Sequence, residues 1–206
     1  SDLQFKKDLR KIESAEVLRG DWLHIDLADG KFVPNKTIDV SVLKNNPTDL
    51  QKEIHLMVEN PNNWVTDLKD VGVNRIIAHI ECGNEIIDDF IKKCQVYSIE
   101  IGLAIKIDTP VEHLQPYLDK LDLILVMSIE PGFQGQPIKE EALGRIKEVL
   151  RLRSGSKFLI GVDGHIDSSD AKVIIESGAD ILVSGSYLLK GDIDENLEEI
   201  WEAIHS

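Results

Sequence analysis

Short apolar runs alternate with segments of helical spacing along the whole chain, and this alternation restricts the fold more than any other feature. The runs are rich in aliphatic and β-branched residues, and most are bounded by Asp, Gly, Pro or Asn, so they predict strands. They cover residues 22–28, 54–58, 75–80, 101–106, 121–129, 158–162 and 181–184. No linker or low-complexity tract interrupts the 206 residues, so we expect one domain over residues 1–206.

The segments between the strands carry apolar residues three and four positions apart, which predicts amphipathic helices. A leading helix is expected over residues 3–12. Three later helical faces are expected to be apolar: Ile86, Ile87, Phe90, Ile91 and Cys94; Leu143, Ile146, Val149 and Leu150; and Ile193, Leu197, Ile200, Trp201 and Ile204. Capping residues with proline predict helix starts at residues 60–61 and 109–112, and glycine predicts helix ends at Gly72 and Gly178.

Strands that alternate with helices in this way form a parallel sheet. In an open, doubly wound sheet both faces lie under helices and the strands are apolar throughout, whereas these strands have one aliphatic and one polar face. In a barrel the inner face can hold a polar site near the carboxyl ends of the strands. We therefore expect an α/β fold, a TIM (β/α)8 barrel. Seven strands are predicted, so the first strand is apparently missing before Ser1.

Polar side chains recur on one face of the first three predicted strands. His24 and Asp26 alternate with Leu and Ile in the first strand, His55 and Met57 share a face of the second, and His79 lies on the third. Because successive side chains of a strand point to opposite faces, the polar residues are expected to share the barrel interior while the aliphatic ones face helices.

Two imidazoles and two carboxylates from these strands can form a mixed nitrogen and oxygen site for one divalent metal ion. The candidate ligands are His24, Asp26, His55 and Asp163, the last at a strand end; Zn²⁺, Fe²⁺, Mn²⁺ and Co²⁺ all accept such ligands. One inward histidine alone is more often a hydrogen-bonded core residue, and one such aspartate is often a helix cap. Four together are harder to explain in that way, because buried unpaired charges are costly.

Glycine-containing loops after three strands are candidates for binding a phosphate. They cover residues 131–136, 163–165 and 185–186, and glycine allows a backbone N–H to approach an anion. The last loops of such barrels often bind phosphate, although each loop alone is only a turn. Met57 and Met127 either line the site or fill the core.

The charge balance and the cysteines limit the partners and the compartment. The 23 basic and 37 acidic residues give a net charge of −14, which disfavours nucleic acid and anionic membranes as partners. No apolar run is long enough to span a membrane, and the polar first ten residues do not resemble a signal peptide. Cys82 and Cys94 form no CxxC motif, so we expect reduced thiols and a cytoplasmic protein.

Five stretches resemble the ribulose-phosphate 3-epimerase family and occur in the order found in that family. They are residues 24–35, 55–58, 126–133, 162–164 and 185–186. The resemblance implies a TIM barrel, a soluble homo-oligomer (dimer or hexamer) and metal ligands at the four candidate positions. It implies interconversion of D-ribulose 5-phosphate and D-xylulose 5-phosphate through a metal-stabilised enediolate, with Asp26 and Asp163 as the acid/base pair.

The resemblance also implies which residues contact the sugar phosphate. These are His55, Gly132, Phe133, Gln134, Gly135, Gly164, His165, Ile166, Gly185 and Ser186. Three positions depart from the family, which usually has Met at Ala28 and Gly at Gln134 and His165. The family's first strand also ends in a serine that touches the substrate, and this chain begins after it.

Three other functions remain open on the sequence alone. The first is an epimerase of another ketose phosphate, such as allulose 6-phosphate, and the second is a barrel that binds a sugar phosphate without turnover. The third is a related lyase or decarboxylase, whose Asp-x-Lys-x-x-Asp pattern lacks its lysine in residues 26–29.

Overall fold

A computed structural model describes residues 1–18, 22–129, 131, 138, 140–164 and 166–206. The strands are β1 (Trp22–Ala28), β2 (Gln51–Met57), β3 (Arg75–His79), β4 (Glu100–Ile105), β5 (Leu123–Met127), β6 (Leu159–Asp163) and β7 (Ile181–Val183). The α-helices are α1 (Asp2–Ser14), α2 (Val40–Asn45), α3 (Val65–Asp70), α4 (Asn84–Tyr97), α5 (Glu140–Leu152), α6 (Ser168–Glu176), α7 (Ser186–Lys190) and α8 (Ile193–His205). Short 3₁₀ helices span Pro61–Asn63, Ile80–Cys82 and Val111–Lys120.

All seven predicted strands and the leading helix are present, so the predicted element order is confirmed. Two strands differ most from the prediction: the strand predicted at residues 54–58 begins earlier, at Gln51, and the one predicted at residues 121–129 is limited to Leu123–Met127. Leu121 ends the preceding 3₁₀ helix, and the backbone N–H of Ser128 already donates to the carbonyl of Asp163. Leu121 therefore belongs to the end of the helix, while Ser128 is bonded to the last residue of β6.

The first of two compact units covers Ser1–Leu103. Its strands follow the chain order β1-β2-β3-β4, and β1 pairs in parallel with β2 from Trp22 opposite Gln51 to Ala28 opposite Met57. This register sets Asp26 beside His55, and partners in a parallel ladder point to the same face of the sheet. The aliphatic residues on the other face of β1, such as Ile25, are buried.

The second unit covers Ala104–Ser206. Its strands follow the order β5-β6-β7, and both neighbouring pairs are parallel, with Met127 opposite Asp163 and Asp163 opposite Val183. The helix start predicted at residues 109–112 is present, but the helix is a 3₁₀ helix that begins at Val111 and contains Pro116. Proline has no N–H and its ring clashes with the carbonyl four residues earlier, so this segment cannot form a regular α-helix.

The predicted helical faces are confirmed in their centres but are wrong at Leu150 of α5, which is 39% exposed, and at one aromatic residue of α8. Ile87, Phe90, Ile91 and Cys94 of α4 are buried. In α8, Ile193 and Ile200 are buried, but Trp201 is 65% exposed and its ring lies 4.0 Å from the ring of His205. Spacing alone could not separate Trp201 from its neighbours at the border of the apolar face.

Cys82 and Cys94 are both free thiols, as expected. Burial raises the pKa of Cys94 to about 12, so its thiol is protonated at neutral pH and a poor nucleophile.

Among the described residues, none of the helices has the length and apolar character needed to cross a membrane.

Glycine ends two helices where the sequence predicts it. Gly72 follows α3 with a φ of +68°, and Gly178 follows α6 with a φ of +112°. A Cβ on Gly178 would also lie 2.6 Å from Cδ2 of Leu150. Glycine at position 178 therefore permits both the positive φ of the turn that ends α6 and the close packing of this turn against Leu150 of α5.

We predict that Gly178→Ala lowers the free energy of unfolding by about 1–3 kcal/mol, because it adds both backbone strain and a steric clash. Gly144→Ala in α5 is the matched control, since a Cβ there meets nothing within 4 Å and alanine favours a helix interior by about 0.5–1 kcal/mol. Urea unfolding followed by circular dichroism measures both. Equal stabilities of the two variants would contradict the assigned role of Gly178.

Candidate metal centre

His24, Asp26 and His55 converge in the first unit because of the register between β1 and β2. The Nδ1 atom of His55 lies 2.9 Å from Oδ1 of Asp26, and Nε2 of His24 lies 3.5 Å from the same oxygen. His55 is fully buried, while Asp26 keeps 37% of its side chain exposed. The three side chains therefore surround one point that solvent can reach from the side of Asp26.

The second ring nitrogen of His24 is held by a buried ion pair. Its Nδ1 lies 2.7 Å from Oε1 of Glu53, whose Oε2 accepts a 2.6 Å hydrogen bond from Nη1 of Arg75. Burial alone would raise the pKa of Glu53, but His24 and Arg75 outweigh it and hold the pKa below its usual value. Glu53 is therefore a carboxylate that accepts a hydrogen bond from Nδ1 of His24, and Nε2 of His24 faces Asp26.

His55 has a different buried partner on its far side. Its Nε2 lies 2.9 Å from Nε2 of His79, and Nδ1 of His79 lies 3.0 Å from a carboxylate oxygen of Glu81. The sequence places His79 in the interior, and His79 is indeed fully buried. The ring of Phe32 lies over it, with centroids 4.7 Å apart.

The donor set of this cluster fits a divalent metal ion. Burial alone would raise the pKa of Asp26, but hydrogen bonds and charge from His24 and His55 outweigh it and place the pKa far below its usual value. Two imidazole nitrogens and an ionised carboxylate are ligands of Zn²⁺ and related ions. His24, Asp26, His55 and Asp163 each offer one ligand atom of this kind.

Asp163 is the last residue of β6 in the second unit, where its main chain is tied to the end of β5. The backbone N–H and the hydroxyl of Ser128 both donate to the carbonyl of Asp163, at 2.7 and 2.9 Å. Ser128 is fully buried. A Cβ on the following residue, Gly164, would lie 1.7 Å from Oγ of Ser128. Only glycine at position 164 leaves room for the serine that holds Asp163.

The candidate phosphate loops are described in part. Ile166 donates through its N–H to the carbonyl of Gly164 at 3.0 Å, and the hydroxyl of Ser184 donates to the carbonyl of Ile166 at 2.7 Å. These bonds join the loop after β6 to the residues before Gly185 and Ser186. The other predicted contacts lie outside the described residues: Gly132, Phe133, Gln134, Gly135 and His165.

The two predicted site-lining methionines are almost fully buried. Met57 is 4% exposed and packs in a small apolar cluster with Ala28, Val33 and Phe32. Met127 is 3% exposed at the end of β5. A role for either sulfur in lining the site stays a prediction.

Comparison with known proteins identifies the family. Residues 2–189 match the profile of the Ribulose-phosphate 3 epimerase family. The chain belongs to this family. It is 36% identical over 193 residues to the ribulose-phosphate 3-epimerase of Chlamydia pneumoniae, covering 90% of this chain and 82% of that protein. It is 37% identical over 178 residues to the enzyme of the same name from Chlamydia muridarum, covering 82% and 77%.

A solved structure supports the fold class. A mutant tryptophan synthase α-subunit from Pyrococcus furiosus superposes with a TM-score of 0.67 at 16% identity, covering 97% of this chain and 92% of that one. At this identity the likeness shows the fold alone. The predicted TIM-barrel class is confirmed, with seven parallel strands in the described part of this family member.

In this epimerase-family protein, sequence reasoning did not identify the two glutamates that hydrogen-bond the buried histidines: Glu53 with His24, and Glu81 with His79. Glu53 lies two positions before His55 on the same face of β2, and Glu81 lies two positions after His79. Polar alternation at those positions was a signal that could have found them. Asp29 accepts hydrogen bonds from the backbone N–H groups of Lys31, Phe32 and Glu59, and so organises the turn after β1.

We predict that Gly164→Ala lowers the free energy of unfolding by about 2–3 kcal/mol, because its Cβ would overlap the Ser128 hydroxyl. Ser128→Ala removes that hydroxyl and leaves Cβ of residue 128 at 3.1 Å, so the double variant should recover about 1 kcal/mol relative to additive effects. Gly185→Ala is the control, since a Cβ there meets nothing within 4 Å. Urea unfolding of the wild type, the two single variants at positions 128 and 164, the double variant and the control measures the coupling between these positions. Additive effects of the two substitutions would refute the proposed clash.

Proposed function

We propose that this protein is a metal-dependent 3-epimerase that interconverts D-ribulose 5-phosphate and D-xylulose 5-phosphate. The observation that carries the proposal is the carboxylate of Asp26, 2.9 Å from His55 and 3.5 Å from His24. Membership of the epimerase family supports an isomerase activity. The relatives' names supply the choice of ribulose phosphate.

In this proposal, His24, Asp26, His55 and Asp163 hold one divalent ion, either Zn²⁺, Fe²⁺, Mn²⁺ or Co²⁺. The hydrogen-bonded partners of His24 and His55 occupy the ring nitrogens that face away from Asp26, which leaves the other two nitrogens to bind a cation. When bound, the ion supplies positive charge that stabilises negative charge on the substrate oxygens. Glu53 accepts a hydrogen bond from Nδ1 of His24, which directs Nε2 of His24 towards the proposed ion.

The proposed proton transfers use one aspartate on each face of the substrate. Asp26 is ionised at neutral pH because His24 and His55 lower its pKa, so it can accept the proton of carbon 3. Asp163 would deliver a proton to the opposite face of the resulting enediolate, and the two residues would exchange roles in the reverse direction. Two fixed bases invert the carbon without turning the substrate over.

The proposed phosphate site comprises Gly132, Phe133, Gln134, Gly135, Gly164, His165, Ile166, Gly185 and Ser186, with His55 at the sugar end. A chain with a net charge of −14 repels a phosphate at long range, so binding requires local backbone N–H donors. The hydrogen bond from Ser184 to Ile166 supports a common site for the last two loops. A homo-oligomer, either a dimer or a hexamer, stays a prediction that light scattering can test.

The decisive experiment is deuterium incorporation at carbon 3. The metal-loaded protein is incubated with D-ribulose 5-phosphate in heavy water, and NMR follows both exchange and formation of xylulose 5-phosphate. We expect both with the wild type, and loss of both after the ion is removed with a chelator. Exchange with allulose 6-phosphate alone would show that the protein is an epimerase of that ketose phosphate. If neither substrate exchanges although metal is bound, the protein would instead be a barrel that binds a sugar phosphate without turnover.

We predict that Asp163→Asn reduces kcat by at least about 10³-fold, because the amide cannot take up or deliver the proton. Asp167→Asn is the matched control: Asp167 caps α6 through the N–H groups of Ser169 and Asp170, and asparagine caps a helix equally well. Circular dichroism should show both variants folded. An Asp163→Asn variant with wild-type turnover would remove Asp163 from the mechanism.

A further inference from the structure

The pair of His79 and Glu81 lies next to the candidate ligand His55, and the proposed function assigns it no role. His79 is the last residue of β3 and is fully buried. Glu81 follows in the 3₁₀ turn Ile80–Cys82. Phe32 packs against the ring of His79, and His55 lies between His79 and Asp26, so His79 is connected to the candidate site through His55.

We propose that His79 and Glu81 are positioning residues that hold the ring of His55 with its Nδ1 atom towards Asp26, where this atom can bind a cation. This inference rests on the proposed metal site. It assigns a role to two residues outside the four ligands, and it predicts that cation affinity depends on them even though neither touches the ion or the substrate.

The hydrogen-bond order follows from what each group can donate. A glutamate carboxylate only accepts, so Nδ1 of His79 carries the proton in its 3.0 Å bond to Glu81. Nε2 of His79 then faces Nε2 of His55 at 2.9 Å. On the other side of its ring, Nδ1 of His55 lies 2.9 Å from the carboxylate of Asp26, which also only accepts. An imidazole that bound a cation through Nδ1 would carry its proton on Nε2, and Nε2 of His79 is placed to accept a hydrogen bond from it.

The surrounding structure holds this chain of hydrogen bonds in place. Cys82, next to Glu81, donates through Sγ to the carbonyl of Val58 at 3.4 Å, which ties the turn after β3 to the end of β2. Asp29 accepts from the N–H groups of Phe32 and Glu59, and so fixes the loop that places the Phe32 ring over His79. The His79 ring is thus held between two anchored loops and cannot rotate freely.

The two candidate ligand histidines are therefore supported by different chemistry. His24 donates directly to the carboxylate of Glu53, itself paired with Arg75. On its far side, His55 contacts a second imidazole, which in turn donates to a carboxylate. Partners of this kind orient a ligand histidine, and their removal typically weakens metal binding by 10–100-fold.

The test measures cation binding directly, without relying on turnover. Co²⁺ is titrated into the metal-free full chain by absorption spectroscopy and calorimetry. We expect His79→Phe to weaken Co²⁺ binding by about 10–100-fold. His113→Phe, an exposed histidine on the 3₁₀ helix Val111–Lys120, controls for the loss of one imidazole.

A pair of variants at Glu81 keeps the inference testable if His79→Phe fails to fold. Glu81→Gln retains an oxygen that accepts from His79, so Co²⁺ affinity should change by less than about threefold. Glu81→Ala removes the acceptor and should weaken binding by about tenfold. Unchanged Co²⁺ affinity in folded His79→Phe or Glu81→Ala would overturn the inference. A wild type that binds no Co²⁺ would instead refute the proposed metal site.

Discussion

The parallel register between β1 and β2 is the constraint on which the candidate centre depends. It sets Asp26 opposite His55 and His24 opposite Glu53, so two cross-strand pairs share one face of the sheet. A slip of one residue would move every side chain of β1 to the other face, and would bury the imidazoles against the aliphatic layer. The buried Ile25 and Leu27 on the opposite face oppose such a slip, because exposing them forfeits about 1.5–3 kcal/mol each.

Beneath the candidate ligands, buried charges are paired from one strand to the next. Glu53 bonds both His24 and Arg75, and the guanidinium of Arg75 also bonds Glu100 on β4 while stacking over the ring of Trp22 at 4.1 Å. Each buried charge thus has an opposite charge or an imidazole within hydrogen-bonding distance, which burial requires. The same arrangement orients His24, so one network serves both stability and the site.

The limits of sequence reasoning are visible in particular residues. Alternation located His24, Asp26 and His55 on one face because a strand has a period of two. Trp201 was misplaced because helical spacing marks a face but not its border, and the 3₁₀ form of Val111–Lys120 was missed because the effect of Pro116 was not weighed. Glu53 and Arg75 were overlooked because pairing depends on which residues of neighbouring strands face each other.

The sequence by itself determined the order of strands and helices, the polar face of the first strands and the family, since these are encoded in local periodicity and short motifs. Only the tertiary structure decided the partner of each ring nitrogen: Glu53 for His24, and His79 with Glu81 for His55. It also decided why position 164 must be glycine, beside the Ser128 hydroxyl. These are contacts between residues far apart in the chain, and their geometry follows from strand register and packing, which no local pattern specifies.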